Sequence, residues 1–387
     1  MTRITPAWLD ASPTRAVVAA FAAQGCAVYF VGGCVRNALI GAADTDIDLA
    51  TPAPPETVIA LAEAAGLKAV PTGLKHGTVT LVVDGQPFEA TTFRRDVATD
   101  GRHAEVAFAD RLEEDAARRD FTMNALYARP DGTVIDPVGG VADLHARRLR
   151  FIGDAAARVA EDYLRILRYF RFFAWYADPE HGFDADALAA CAGGLDGLAR
   201  VSAERIGHEM RKLLAAPDPV PTVGAMAQTG VLARVLPGAG PETLAPLVAL
   251  EACAGAAPCV LRRLAALGGA DPADALRLSR AETARLRRLR DGVSGDAGPG
   301  ELAYRHDAAT ARDVTLLRAA VRGGDVPPDL EAAIARGADA RFPVRAADLP
   351  ELSGPALGQR LAALEAAWIA SDFALGKDAL LALPETD

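Results

Sequence analysis

Lysine is nearly missing from this chain of 387 residues: Lys68, Lys75, Lys212 and Lys377 stand against 37 arginines. Cysteine is sparse and odd in number. Cys26, Cys34, Cys191, Cys253 and Cys259 are scattered, with no Cys-x-x-Cys, which argues against a disulfide scaffold or thiolate zinc site and for reduced thiols in a cytoplasmic protein. No apolar run reaches the roughly 18 residues of a membrane span, because Arg, Asp or Glu interrupts every candidate. The opening Met-Thr-Arg-Ile-Thr-Pro has no apolar signal core, so export is not expected. The six histidines show no metal-ligand spacing, and neither Gly-x-Ser-x-Gly nor His-Glu-x-x-His occurs, which leaves hydrolase chemistry without support. A net charge of −10 argues against a general polyanion-binding surface. Basic charge is nevertheless concentrated locally, since Arg118, Arg119, Arg147, Arg148, Arg150, Arg165, Arg168 and Arg171 fall within one stretch. Arginine suits bidentate phosphate and base-edge contacts.

With 51% hydrophobic and 24% charged residues, the composition is that of a globular protein rather than a disordered one. The length suggests two or three domains. The first 150 residues read as mixed α/β. Helices are expected at 14–23 and 55–65, and strands at 27–31, 45–50, 78–83 and 88–93. Asp84-Gly85 between the last two is a hairpin signal. The polar, Gly-containing stretch from Arg94 to Phe108, with Asp96, Asp100, Gly101 and Arg102, reads as a mobile loop. Beyond residue 145 strand signals vanish, and helices are expected at 161–177, at 201–215 and onward to the end.

Asp46-Ile47-Asp48 places two carboxylates on one side of a strand, their Cα atoms about 6.7 Å apart by strand rise. Carboxylates aimed at one spot repel unless cations lie between them; oxygen ligands suit Mg²⁺, and two-metal phosphoryl-transfer sites need such pairs. Just before it, Val31-Gly32-Gly33-Cys34-Val35-Arg36 reads as strand, Gly pair and helix start. Glycines admit close backbone approach and helix N-terminal amides bind phosphate, with Arg36 one turn in. The run is neither Gly-x-Gly-x-x-Gly nor a P-loop. Glu89, in Phe88-Glu89-Ala90-Thr91-Thr92-Phe93-Arg94, becomes a third carboxylate if its strand pairs beside Asp46 and Asp48.

In this order, these motifs together with Arg118-Arg-Asp-Phe-Thr-Met-Asn124 resemble the polymerase β-like nucleotidyltransferases, and more closely the class II tRNA CCA-adding and poly(A) polymerase family. Asp136-Pro-Val-Gly-Gly140 with Asp143-Leu144, the run Glu161-Asp162-Tyr-Leu-Arg165-Ile-Leu-Arg168-Tyr-Phe-Arg171-Phe172, and Ser202-Ala-Glu204-Arg205-Ile206 with Glu209 extend the match over residues 25 to 215. The resemblance implies an α+β chain: a nucleotidyltransferase head of mixed sheet plus helices at 1–145, then an all-helical neck at 146–215 and an all-helical body and tail at 216–387 that binds tRNA. It implies Mg²⁺ on Asp46 and Asp48, with Glu89 assisting catalysis. Nucleotide-binding positions fall to Gly32, Gly33, Arg36, Arg119, Asp162, Arg165, Arg168 and Arg171. The partners implied are tRNA, CTP and ATP, with no membrane and no obligate protein partner. One departure is Asn37, where the family usually has Asp.

On one helix, Asp162 and Arg165 would share a face. Asp accepts and Arg only donates. Cytosine and adenine each offer an exocyclic amine beside an unprotonated ring nitrogen, whereas uracil and guanine present the reverse, so the pair satisfies C and A and mismatches U and G. Each buried unsatisfied group costs roughly 1–3 kcal/mol. The expected activity is therefore addition of C, C and A to tRNA 3′ ends with release of pyrophosphate. A poly(A) polymerase or a partial CC- or A-adding enzyme shares these motifs; the acidic ending Leu-Pro-Glu-Thr-Asp disfavours the basic extension of the former. A non-catalytic RNA-binding paralogue is the remote alternative. His306-Asp307, the sole His-Asp pair in the C-terminal half, gives no sign of a phosphohydrolase domain.

Overall fold

Asp84 and Gly85 take left-handed backbone, φ 50° and 80°, and join strands Thr78–Val83 and Gln86–Thr92 as a two-residue hairpin, the geometry that suits the right-handed strand twist. The structure, a computed structural model, describes residues 2–43, 46–100 and 103–384, leaving aside the side chains of 96–100 and 103–106. It divides into two compact units, Met1–Val235 and Leu236–Asp387.

In chain order the first unit contains α1 (Ser12–Ala23), β1 (Tyr29–Val31), α2 (Gly33–Ile40), β2 (Ile47–Thr51), α3 (Pro55–Ala64), β3 (Lys68–Gly73), β4 (Thr78–Val83), β5 (Gln86–Thr92), β6 (Arg94–Asp100) and β7 (His103–Phe108). There follow α4 (Leu112–Ala117), β8 (Tyr127–Ala128), β9 (Val134–Ile135), α5 (Gly140–His145), α6 (Ala155–Glu161), α7 (Leu164–Tyr176), α8 (Ala185–Gly193), α9 (Ala203–Leu214), α10 (Val220–Gln228) and α11 (Val231–Val235). Seven strands form one mixed sheet in the order β3-β4-β5-β2-β1-β8-β9, in which β2 and β5 run parallel and the other neighbours antiparallel. Alternation decides what each face buries. Helix α4 contributes Leu112 and Ala116 to a cluster with Val31, Ala50 and Tyr127.

Two expectations are corrected here. The stretch read as a loop is an antiparallel ribbon of β6 and β7, pairing Arg94 with Phe108 and Asp100 with His103; Gly101 and Arg102 lie outside the described residues. A two-stranded ribbon pairs its inward backbone groups and leaves the outward ones to water, so polar composition does not forbid it. The helix expected from residue 161 to 177 is broken at Asp162, which is extended (φ −151°, ψ 104°). Its carboxylate accepts from the Leu164 N–H at 3.1 Å, a local bond that competes with helix continuation. From Leu164 onward α7 buries Ile166, Leu167, Tyr169, Phe170 and Phe173 on one broad apolar face. The unit that holds this helix runs on to Val235, with α10 packed against α7.

The second unit holds α12 (Leu244–Cys253), α13 (Val260–Leu267), α14 (Arg280–Ser294), α15 (Pro299–Arg305), α16 (Ala308–Arg322), α17 (Leu330–Asp339), α18 (Gly354–Ala370) and α19 (Lys377–Leu381). Helix α16 buries Val314, Leu316 and Leu317 among α12 to α15 and α17. Asp307, of the His306-Asp307 pair, caps α16 by accepting from Thr310 N–H at 2.6 Å. Among the described residues no helix is long and apolar enough to cross a membrane.

Candidate active site

The parallel pairing of β2 with β5 sets Asp48 directly beside Glu89, and neighbours so paired project to the same face. Asp48 shares the parity of Ala50, which packs with α4, so both carboxylates face that side. Pairing of Phe30 with Leu49 continues to Val31 beside Asp48, which puts the Gly32-Gly33 turn at the same sheet end. Asp46 is exposed and precedes the strand rather than lying within it. Burial, and then the Glu89 carboxylate, push Asp48 up to about 6, while Arg119 pulls it down and Asp46 adds to the rise. Among the described residues no three His, Cys, Asp or Glu side chains form a closed metal cage. An acidic pair with uncompensated charge, open to further ligands, fits a hard divalent cation that completes its shell with phosphates and water.

Gly32 has φ 73° and ψ −121°, a backbone that side-chain-bearing residues rarely adopt. A Cβ there would stand 3.7 Å from the Arg119 guanidinium. Arg119 therefore lies against the turn while its charge also reaches Asp48. It is held by Asp115 at 3.0 Å and by the Tyr127 hydroxyl at 3.0 Å, and Asp115 also takes Arg118 at 3.0 Å. Burial alone would raise Asp115, but Arg119 and Arg118, with the Tyr127 hydroxyl donating, bring it down to about 2. One buried carboxylate thus fixes two guanidiniums, of which that of Arg119 lies beside the glycine turn at the N-terminus of α2.

Arg36, expected to reach a phosphate, faces inward instead and is 6% exposed. Its guanidinium donates to Asn124 Oδ1 at 2.6 Å, to Asn37 Oδ1 at 3.0 Å and to the Tyr176 hydroxyl at 2.7 Å, and stacks 4.0 Å from the Tyr176 ring centroid. The sequence does not reveal that α7 supplies an aromatic lid for it. Asn37 uses both ends of its amide: the oxygen accepts from Arg36, and Nδ2 donates to the Ala43 carbonyl at 2.8 Å. The departure from Asp is therefore a buried tether between Arg36 and the Ala43 carbonyl.

Asp162 and Arg165 do not share a helix face. Asp162 lies in the break before α7 and takes Arg205 of α9 at 2.6 and 3.3 Å. Arg165 pairs with Glu161 at 2.5 Å and donates to the Arg118 carbonyl at 3.2 Å. Arg168 binds Asp120 at 2.5 Å and Glu209 at 3.8 Å; Arg171 binds Glu209, and both guanidiniums flank the Phe172 ring. Burial would raise Asp120, but Arg168 and the Asn124 amide hold it to about 2. Arg36, Asn124, Asp120, Arg168, Glu209 and Arg171 thus form one chain of bonds from α2 to α9. Sequence reasoning missed Asp115, Asp120, Tyr176 and Arg205 as partners. The spacing of Asp115 with Arg118 and Arg119 was a visible signal, whereas the reach from α9 was not.

Two family models match the chain: the poly A polymerase head domain over residues 28–150 and a probable RNA and SrmB-binding site of polymerase A over 183–242. It is 44% identical over 195 residues to the mitochondrial CCA tRNA nucleotidyltransferase 1 of Mus musculus, covering 50% of this chain and 45% of that protein. It is 42% identical over 219 residues to the CCA-adding enzyme of Geobacillus thermodenitrificans, covering 56% and 52%. The chain spans about half the length of the relatives it matches by sequence. Against the solved CCA-adding enzyme of Bacillus stearothermophilus in complex with CTP, 94% of each chain aligns at 31% identity and a TM-score of 0.75. A Thermotoga maritima CCA-adding enzyme solved with tRNA has the same fold, at 19% identity and a TM-score of 0.70.

Proposed function

The chain belongs to the class II tRNA nucleotidyltransferase and poly(A) polymerase family, and from that membership we propose that it adds C, C and A to tRNA 3′ ends from CTP and ATP. The observation that carries this reading is the juxtaposition of Asp48 with Glu89 at the end of the sheet where Arg119 lies against the Gly32 turn. The family is generally divalent-metal dependent, and the metal proposed here is Mg²⁺, held by Asp46 and Asp48. When bound it neutralises phosphate charge and acidifies the attacking hydroxyl.

The triphosphate sits on the Gly32-Gly33 backbone and the first amides of α2, with Arg119 donating to its oxygens. Glu89 orients the hydroxyl beside Asp48. The RNA 3′ oxygen attacks the α-phosphorus in line and pyrophosphate leaves. Asp162 and Arg165 read the base edge after exchanging their Arg205 and Glu161 partners for it, while Arg168 and Arg171 support them through Asp120 and Glu209. Arg36, turned inward, positions the cradle rather than touching the nucleotide. The division into a head at 1–145, a neck at 146–215 and a tRNA-gripping body and tail at 216–387 goes with this reading. The free thiols of all five cysteines support a reducing, cytoplasmic setting.

The test offers tRNA ending at its discriminator base with CTP, ATP, UTP and GTP, singly and mixed. Two C residues from CTP alone, and a terminal A when ATP is added, are expected. Long A tracts from ATP alone would make the chain a poly(A) polymerase; addition of only C or only A would make it a partial enzyme. Absence of any transfer would remove the activity altogether.

A further inference from the structure

A second cleft, of about 400 Å³, lies at the far end of α2 and α7 from the proposed triphosphate seat, lined by Ile40, His145, Arg147, Trp175 and Tyr176 among others. Trp175 and Ile40 are 44% and 41% exposed, unusual for large apolar side chains brought together in one place. The indole is not loose: its Nε1 donates to the Lys212 carbonyl at 2.7 Å, which fixes the ring by one edge and leaves much of it open. His145 and Arg147 are exposed beside it, and among the described residues no carboxylate lines the cleft. A larger cleft in the same unit, of about 680 Å³, is lined by Asp154, Asp184 and Asp186 against the single cation Arg150, which suits a polyanion less. A held aromatic face with cations beside it is the chemistry that binds a base and its phosphate.

Position narrows the ligand further. Trp175 lies seven residues beyond Arg168, on the same stripe of α7 and about 10 Å along its axis. Ile40 ends α2, a similar distance from Gly33, so a nucleotide seated on the Gly32-Gly33 turn does not occupy this cleft. We propose that the cleft binds a base near the 3′ end of the RNA that receives the nucleotide, stacked on Trp175, with Arg147 and His145 beside its phosphate. This rests on the function proposed above and adds where the acceptor strand is held.

The test uses a minihelix RNA ending at the discriminator base. Trp8 and Trp368 are 8% and 3% exposed, so fluorescence quenching by RNA reports on Trp175 and should be lost in Trp175→Phe. In steady-state kinetics Trp175→Ala should raise KM for the RNA about tenfold and leave KM for CTP within twofold, with Trp175→Phe recovering most of the difference. Quenching that persists in Trp175→Phe would overturn the proposal. So would a parallel rise of both KM values, which would put the incoming nucleotide here. No change in either would also overturn it and leave the cleft to a protein partner. If the wild-type chain transfers no nucleotide, the function falls, yet the quenching titration still decides the cleft.

Discussion

In the second unit Arg262 and Arg263, 3% and 1% exposed, close on Glu251 and Asp313 at 2.6–2.7 Å, and Arg285 completes the group at 2.7 Å from Asp313. In the first unit Asp48 and Glu89 stand side by side at a strand end, with Arg119 committed to Asp115. The residue types are the same and the outcomes are opposite. Buried charges that pair with one another are satisfied, with Arg285 at the partly exposed margin, and breaking such a group leaves a bare buried ion. Two like charges side by side at an opening repel, and on the function proposed above a cation and phosphates would relieve them. The place to look for chemistry is thus where charge is left over, rather than where it is most abundant.

The widest separation between the two clusters should come from Asp48→Asn. Nucleotide transfer should fall about a thousandfold or more, as when a group stabilising developing charge is removed. Stability should rise by up to about 2–3 kcal/mol at pH 7, because the folded state holds this carboxyl near 6 rather than its usual 3.8. The sign follows from protons: between about pH 4 and 6 the unfolded chain releases this proton before the folded one, so the burden grows with pH and is complete above 6. The advantage of the variant in urea midpoint should therefore vanish below about pH 4. An unchanged midpoint at every pH would mean that Asp48 carries no burden. In the buried cluster the trade runs the other way. Asp313→Ala should cost about 3–5 kcal/mol while KM for CTP per folded molecule stays as it was; altered nucleotide use at native stability would dissolve the contrast.

Between these extremes lies Asp162, paired to Arg205 at a partly exposed site. Asp162→Ala should lower the ratio of kcat/KM for CTP over UTP about tenfold, whereas Arg168→Ala should slow all four nucleotides without reordering them. Equal losses for all four in Asp162→Ala would move base selection elsewhere. Arg205→Ala should shift the same ratio with less than about 1 kcal/mol of stability lost, as for an exposed pair. The smallest effect belongs to Asn37→Asp. It strengthens the bond to Arg36 but sets an oxygen against the Ala43 carbonyl, so the two changes should cancel to within about 1 kcal/mol in thermal melts.

The sheet of the first unit was legible because its signals are local. A Gly pair after a strand and Asp84-Gly85 each dictate backbone geometry within a few residues, and the β2–β5 pairing then brought Glu89 to Asp48, whereas Asp46, expected on the strand with Asp48, stands just before it. What stayed hidden depended on distant chain. Arg36 reads as a phosphate contact until Tyr176, 140 residues away, is seen to cover it. Asp162 reads as helical because the residues around it favour helix; its cap to Leu164 and its bond to Arg205 are tertiary choices. The β6–β7 ribbon was mistaken for a loop because its strands carry few of the large apolar residues by which strands are recognised.

The bonds that run from Arg36 through Asn124 and Asp120 to Arg168 have a metric consequence. On the function proposed above, they weld the proposed seat of the triphosphate to the helix proposed to read the base, so the two would act as the fixed jaws of a caliper. A caliper set to one gap cannot be reopened for a purine after closing on a pyrimidine. The difference in ring size between C and A must be absorbed by tilt of the nucleotide itself, or by parts outside the jaws such as the β6–β7 ribbon. On that reading the jaws would keep one setting through all three proposed additions.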